Sequence, residues 1–171
     1  MKKLSIAVLA LMALTSCQKQ KMAFVDTGKV VNEIKLKKNV EEKFKQKEAA
    51  LTQKTDSLKL AFQTEVQEAS ALASKMKDQS KIQQLSQSFQ QKDQMLSRQI
   101  QSEQQGLAND YRTEIDSVIN NVKSFVKDYG KTNGYDYILG TSDNTASVMY
   151  AKDTSDLTEE IIEAFNAENN K

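Results

Sequence analysis

Residues 69–82 read ASALASKMKDQSKI, and the behaviour of this stretch decides the fold. It lies inside a run of 77 residues between Gly28 and Gly106 that holds neither Gly nor Pro, so nothing in the run breaks a helix. Before it, apolar residues recur at Val40, Phe44, Leu51, Leu58, Phe62, Val66, Ala69, Leu72 or Ala73, and Met76. After it they recur at Ile82, Leu85, Phe89, Leu96, Ile100, Leu107, Tyr111, Ile115, Val118, Val122, Phe125 and Tyr129. Steps of three and four place them on one narrow helical stripe. The remainder is mostly Lys, Glu, Gln, Ser and Asp, with 11 Gln among the 27 residues of 79–105. One unbroken helix over 35–129 would run about 140 Å and leave its stripe in water. A fold-back lets each half bury its stripe against the other. The best turn is Lys77-Asp78-Gln79-Ser80, an apolar-free stretch between two well-patterned segments. Ser80 and Gln83 fit a capping box that starts the returning helix. The segment therefore predicts an antiparallel coiled-coil hairpin over 39–119 with its tip near 77–80.

Outward from the hairpin the composition changes. Met22-Ala23-Phe24-Val25 reads as a short buried strand, and Asp26 or Thr27 as the N-cap of a helix carrying Val30, Val31 and Ile34. On the far side, Gly130 is expected to end the long helix in the left-handed conformation, and Asn133-Gly134 to form a turn. Tyr135–Leu139 reads as a strand, Gly140–Ala146 as a polar loop, and Ser147–Ala151 as the strand's hairpin partner. A final helix is expected from about Glu159, with Thr158 as cap, Glu159 and Glu160 in its first turn and Leu157–Ile162 as a hydrophobic staple. Ile161, Ile162 and Phe165 are its buried edge, and fraying is expected after Asn166. Residues 22–38 and 120–171 thus form a small α+β body into which the helical hairpin is inserted. Three short strands and a few helical turns rarely make a stable core alone, and open strand edges invite pairing. Oligomerisation through the body follows; Tyr135, Tyr137 and Tyr150 are assigned to its core or to packing between chains.

The composition excludes much chemistry. With no His and a single Cys, the chain has no Ser-His or Cys-His nucleophile pair, no zinc site of the usual ligand sets and no intrachain disulfide. Glycine-rich phosphate loops and paired-acid constellations are missing too, so neither an enzyme nor a cofactor is expected. The 24 basic residues nearly balance 23 acidic ones, which argues against a nucleic-acid partner. The charge is uneven: 35–129 carries 16 basic and 13 acidic residues, 130–171 carries 3 and 8.

The amino terminus reads as an address. Met1-Lys2-Lys3 is positive, and Leu4–Leu14 is an apolar run too short to cross a bilayer. It ends in Leu14-Thr15-Ser16-Cys17, similar to a bacterial lipobox. Residues 1–17 are then a lipoprotein signal peptide and Cys17 the lipidated first residue of the mature chain; the other reading is an ordinary cleavage site that contains a Cys.

The order of elements resembles the OmpH/Skp family of periplasmic chaperones. The residues that carry the likeness are Met22–Val30, Gly134–Leu139, Val148–Ala151 and Asp156–Ile162, with the spacing between them. The resemblance implies a homotrimer whose strands meet in a compact body, with three hairpin arms around a cavity. There an unfolded outer-membrane protein is held without ATP in the periplasm. The residues placed at the expected tip and strands are the candidates for these roles. Lys75, Met76, Lys77 and Lys81 are candidate client contacts at the arm tip. Phe24, Val25, Tyr137, Leu139, Val148 and Tyr150 are candidate members of the oligomer body. Near-neutral charge and the lipobox depart from the better-known members.

Blander readings stand beside these. Met76 and Met95 are either seam residues of the coiled coil or soft contacts for clients. The six lysines of Lys35–Lys47 read as a solvated helix face. The alternative function is a structural coiled-coil lipoprotein, a spacer or scaffold in the envelope, anchored by lipid with its body facing the periplasm.

Overall fold

The structure, a computed structural model, describes residues 20–142 and 147–169; the expectations for the leader, the lipobox and Cys17 lie outside them. The elements are β1 (Met22–Asp26), α1 (Thr27–Glu33), α2 (Lys35–Ala73), α3 (Gln79–Thr132), β2 (Tyr137–Thr141), one 3-10 turn (Asp153–Ser155) and α4 (Thr158–Glu168). The chain divides into two compact units. One takes the described residues up to Lys35 and those from Ile119 onward; the other is Leu36–Val118.

In the first unit β1 and β2 pair in parallel, from Met22 opposite Tyr137 to Asp26 opposite Thr141. Parallel neighbours need a crossover rather than a tight turn, and the chain through α1, α2 and α3 supplies it. Side chains alternate across the pair, so Ala23, Val25 and Ile138 share one face while Met22, Phe24, Tyr137 and Leu139 share the other. The first face is covered. Ala23 and Val25 are buried along with Val30, Ile34, Leu157, Ile161, Ile162 and Phe165. Burying Val30, Ile34, Ile161 and Phe165 contributes about 1.5–3 kcal/mol each, and Phe125 meets Phe165 edge to face at 5.3 Å.

Local chemistry fixes the joints. Asp26, of the two candidate caps, accepts from Lys29 N at 2.9 Å and starts α1. Ile34 is extended and fully buried, breaking the helix that the periodicity would have continued. Asn166 Oδ1 then accepts from Lys35 N at 2.9 Å, so α4 caps the start of α2. Tyr129 donates to Glu160 at 2.5 Å. Burial, and then that bond and its charge, push the Tyr129 phenol up to about 12.

Several expectations are corrected here. Ser147–Ala151 forms no strand; Met149 and Tyr150 are 89% and 85% exposed. A strand added there would extend a sheet whose second face is already uncovered, and so bury little. The remaining neighbour of β1 is instead a single parallel bridge from Phe24 to Asp156, with Leu157 N donating to Phe24 O at 2.9 Å. Thr158 does not cap α4. Its hydroxyl accepts from Asp26 N at 2.9 Å and donates to Asp156 Oδ1, tying α4 to β1. Gly130 lies inside α3, which runs on to Thr132. Its lack of a side chain makes room for Ile138, whose Cδ1 would be 3.2 Å from a Cβ there. The left-handed stop is Gly134, at φ 67°.

In the second unit α2 and α3 form the predicted antiparallel hairpin, joined by the turn 74–78. The burial pattern shows a finer period than steps of three and four. Val40, Leu51, Phe62 and Ala73 are buried or half-buried at intervals of eleven residues. So are Leu85, Leu96, Leu107 and Val118, and again Phe89, Ile100 and Tyr111. Eleven residues in three turns lies close to the natural pitch of a straight helix. Two long helices can therefore stay in contact with little supercoiling. Phe44 packs edge to face on Tyr111 at 5.3 Å, and Phe62 lies 6.1 Å from Phe89.

Three ion pairs run beside this seam with the same period. Lys43 meets Glu114 at 2.5 Å, Lys54 meets Glu103 at 2.7 Å, and Glu65 meets Lys92. Eleven residues forward on α2 match eleven backward on α3 at each step. The polarity reverses in the third pair, and that reversal has a consequence for register. A slip of eleven residues would preserve the apolar layers. In one direction it would set Lys54 against Lys92, in the other Glu65 against Glu103. Each exposed pair contributes little stability; the set discriminates between registers that the apolar pattern leaves equivalent.

Two glycines on α3 and just beyond it predict opposite responses to one substitution. Gly106→Ala, in a helix interior with nothing within 4 Å of the new Cβ, should stabilise by up to about 1 kcal/mol. Gly134→Ala, at φ 67°, should destabilise by about 1–2 kcal/mol. Urea unfolding of the two variants reads both signs; equal signs would refute the assignment.

Candidate functional site

Two surfaces carry the functional expectations, one in each unit. In the second unit the hairpin presents a thin seam and a polar exterior. Thr55 is buried within it, and a groove of about 680 Å³ follows one side, walled by Phe44, Leu51, Thr55, Leu107 and Tyr111 among charged residues. Nearer the turn, Val66, Ala69, Ala73, Ile82, Leu85 and Phe89 line a second groove of about 450 Å³. Small residues at 69 and 73 leave that part of the seam open.

The turn gathers three of the four tip candidates and places the fourth beside them. Lys75 and Met76 lie in the turn, their N–H groups donating to Leu72 O and Ala73 O at 3.0 Å. Lys77 follows, exposed, and Lys81 stands in the first turn of α3, 4.0 Å from Asp78. The return helix is not started by a Ser80 capping box. Asp78 Oδ1 accepts from Ser80 N at 3.0 Å and lies 3.4 Å from Lys81 N. A carboxylate suits the positive end of a helix better than a hydroxyl. The tip thus shows three ammonium groups, one carboxylate and an exposed thioether.

Both methionines lie outside the coiled-coil seam. Met95 is 62% exposed and Met76 is exposed, so neither is enclosed by the seam. Leu60 at 65% and Leu72 are exposed as well; of the pair Leu72 and Ala73, it is Ala73 that turns inward. These residues stand singly along the arm, and single exposed apolar residues are ordinary on a surface.

The lysines of 35–47 are divided among roles. Lys37 pairs with Glu41 at 2.7 Å and Lys43 with Glu114, while the Lys47 ammonium stands 4.6 Å from the centre of the Phe44 ring. Lys54, foremost, and then Gln99 hydrogen-bond the Glu103 carboxylate and hold it below its ordinary value of 4.5. Between α1 and α4, Glu159 hydrogen-bonds Lys29 and raises it above 10.5.

In the first unit the body candidates separate by face. Val25 is buried in the chain's own core and Phe24 and Val148 are half-buried; Leu139, Tyr150 and, at 51%, Tyr137 are exposed. Met22, Phe24, Tyr137 and Leu139 together make an apolar sheet face that one chain leaves open. Sequence reasoning missed Met22 as part of this surface, and it missed the ion-pair ladder. The eleven-residue spacing of Lys43 and Lys54, and of Glu103 and Glu114, is the signal that would have found the ladder. Among the described residues no helix is long and apolar enough to cross a membrane, and no cluster of His, Cys, Asp and Glu is placed to hold a metal ion.

The described residues thus form a strand pair with its covering helices and, as a second unit, a long helical hairpin. Residues 21–165 match the family model described as outer membrane protein (OmpH-like). The chain belongs to this family, one of periplasmic chaperones for outer-membrane proteins, and membership supports a chaperone role. A crystal structure of an OmpH-like protein from Caulobacter crescentus, described as an outer membrane chaperone, shares the fold. It superposes with a TM-score of 0.75 at 15% identity, over 88% of this chain and 86% of that one. No curated protein matches the sequence.

The lowered Glu103 carboxyl predicts an acid response. Its interaction with Lys54 is complete above the unfolded value of about 4.5. It disappears as pH falls through the lower folded value. Thermal melts should therefore show a smaller acid-induced loss in Glu103→Gln than in the parent. Parallel pH profiles for the two proteins would mean that the pair does not act on folding.

Proposed function

We propose that this protein is an ATP-independent periplasmic holdase that keeps unfolded outer-membrane proteins from aggregating. It works as a homotrimer. The open faces made by Met22, Phe24, Tyr137 and Leu139 come together with Val148 and Tyr150, and three hairpin arms bound a cavity. The observation that carries the reading is the family match over residues 21–165. The uncovered sheet face supports the assembly, because contact between copies would remove it from water.

A client strand destined for a barrel has alternating apolar side chains and unpaired edges, and associates with its like in water. Arms whose apolar residues are single, exposed and partly methionine can hold such a chain through numerous weak contacts without fixing one conformation. Leu60, Leu72, Met76 and Met95 supply these contacts. Lys75, Lys77 and Lys81 add long-range attraction at the tip for acidic clients, an effect that salt weakens. Nothing in this action needs a cofactor or a nucleotide. Anchoring through Cys17 keeps the chaperone at a membrane surface. A spacer would require neither the open sheet face nor exposed apolar residues along the arm.

The test is light scattering from a diluted, urea-denatured outer-membrane protein. The parent should suppress scattering at about one trimer per client, and Leu60→Ser/Leu72→Ser/Met76→Ser/Met95→Ser should need a several-fold excess while keeping its helical circular dichroism. A parent that leaves scattering unchanged would refute the holdase.

A further inference from the structure

We infer that a lysine face on the C-terminal part of α3 docks the body onto anionic lipid headgroups and orients it on the membrane. The observations lie in the first unit. Lys123, Lys127 and Lys131 recur every four residues, which aligns them along one side of the helix. They edge a shallow groove closed by Tyr135, Asp136, Tyr137 and Ile138. Among the described residues neither Lys123 nor Lys127 has a carboxylate within ion-pair distance; Lys131 has an exposed one, Asp128, at 2.9 Å.

Lys21 completes the face and ties it to the start of the chain. Its ammonium stands 3.9 Å over the Tyr135 ring and donates to Asn133 O at 2.9 Å. Its backbone N–H donates to Asp136 Oδ2 at 2.7 Å, and its carbonyl accepts from Asp136 N at 2.9 Å. The chain therefore leaves the body at a fixed point beside Tyr135. From there Cys17 is four residues away, at most about 14 Å along an extended chain.

Charge argues for the same occupant. The rest of this end of the protein is acidic: residues 132–171 carry 2 basic and 8 acidic residues. A negatively charged surface would repel that part and attract the corner formed by Lys21, Lys123, Lys127 and Lys131. Basic residues near a membrane surface each add a modest attraction, and Tyr rings suit the headgroup level. The inference rests on the lipoprotein reading only for its purpose; the face itself is a property of the described residues.

The experiment separates the two. The chain from Gln18 onward, unlipidated and retaining every described residue, is floated with vesicles of phosphatidylglycerol and phosphatidylcholine, and with phosphatidylcholine alone. It should float with the anionic vesicles, and Lys123→Glu/Lys127→Glu/Lys131→Glu should weaken that binding at least about a hundredfold, on about fivefold per lysine. Lys38→Glu/Lys45→Glu/Lys47→Glu, on α2, should float as the parent does. Equal flotation of the parent and the α3 variant would overturn the proposal, as would displacement by inorganic phosphate alone. It would also be overturned if vesicles are ignored while the α3 variant changes the oligomer mass, which would make the face a contact between copies. Whether Cys17 carries lipid is read separately by mass spectrometry of the protein extracted from membranes.

Discussion

The structure depends on two narrow apolar stripes that only each other can bury. Neither α2 nor α3 carries enough apolar surface to pack on more than one side, and no third layer stands against them within their unit. Their shared eleven-residue period lets them run side by side with little supercoiling. That period also makes the apolar pattern degenerate, since a slip of one repeat brings equivalent residues together. The Lys43–Glu114, Lys54–Glu103 and Glu65–Lys92 pairs remove the degeneracy through charge, and Asp78 fixes the start of the return. Individually weak interactions thus choose a register rather than supply stability.

The strand pair presents the converse problem. One face of β1 and β2 is covered by α1 and α4, with Val30, Ile34, Ile161 and Phe165 fully enclosed. The other shows Met22, Tyr137 and Leu139 to water. So small a core leaves a thin margin over the conformational entropy lost on folding. This imbalance is the physical ground for assigning the open face to sister subunits. It also explains why hydrogen bonds over long sequence separations recur in this unit: Asp26 to Thr158, Lys35 to Asn166 and Phe24 to Leu157 bring distant ends together where apolar burial is limited.

Most of the architecture was legible in the sequence, because periodicity and the absence of Gly and Pro are strong signals over long helices. The strand at 22–25, the hairpin and the final helix with Ile161, Ile162 and Phe165 inside all follow from pattern, while the turn lies at 74–78, a few residues before the expected 77–80. What failed was punctuation and pairing. Gly130 and Gly134 look alike in a string, yet one makes room for Ile138 and the other turns the chain; the difference lies in a residue packed from elsewhere. Thr158 has the chemistry of a cap and uses it on β1 instead. Val148–Ala151 has strand-forming residues, but a strand needs a neighbour and a covered face that a single chain does not provide. The approximate place of the turn was legible because a turn must be polar. The open sheet face was only half seen, because parallel pairing with its register, which sets Met22 beside Tyr137 and Phe24 beside Leu139, is a tertiary fact.

The fold-back in one register is tested most directly by cross-linking introduced cysteines with a short thiol-bridging reagent. Lys54→Cys with Glu103→Cys should bridge rapidly within one chain, and Lys54→Cys with Glu114→Cys, displaced by a full repeat, should not. Equal bridging of both pairs, or bridging only between chains, would contradict the hairpin.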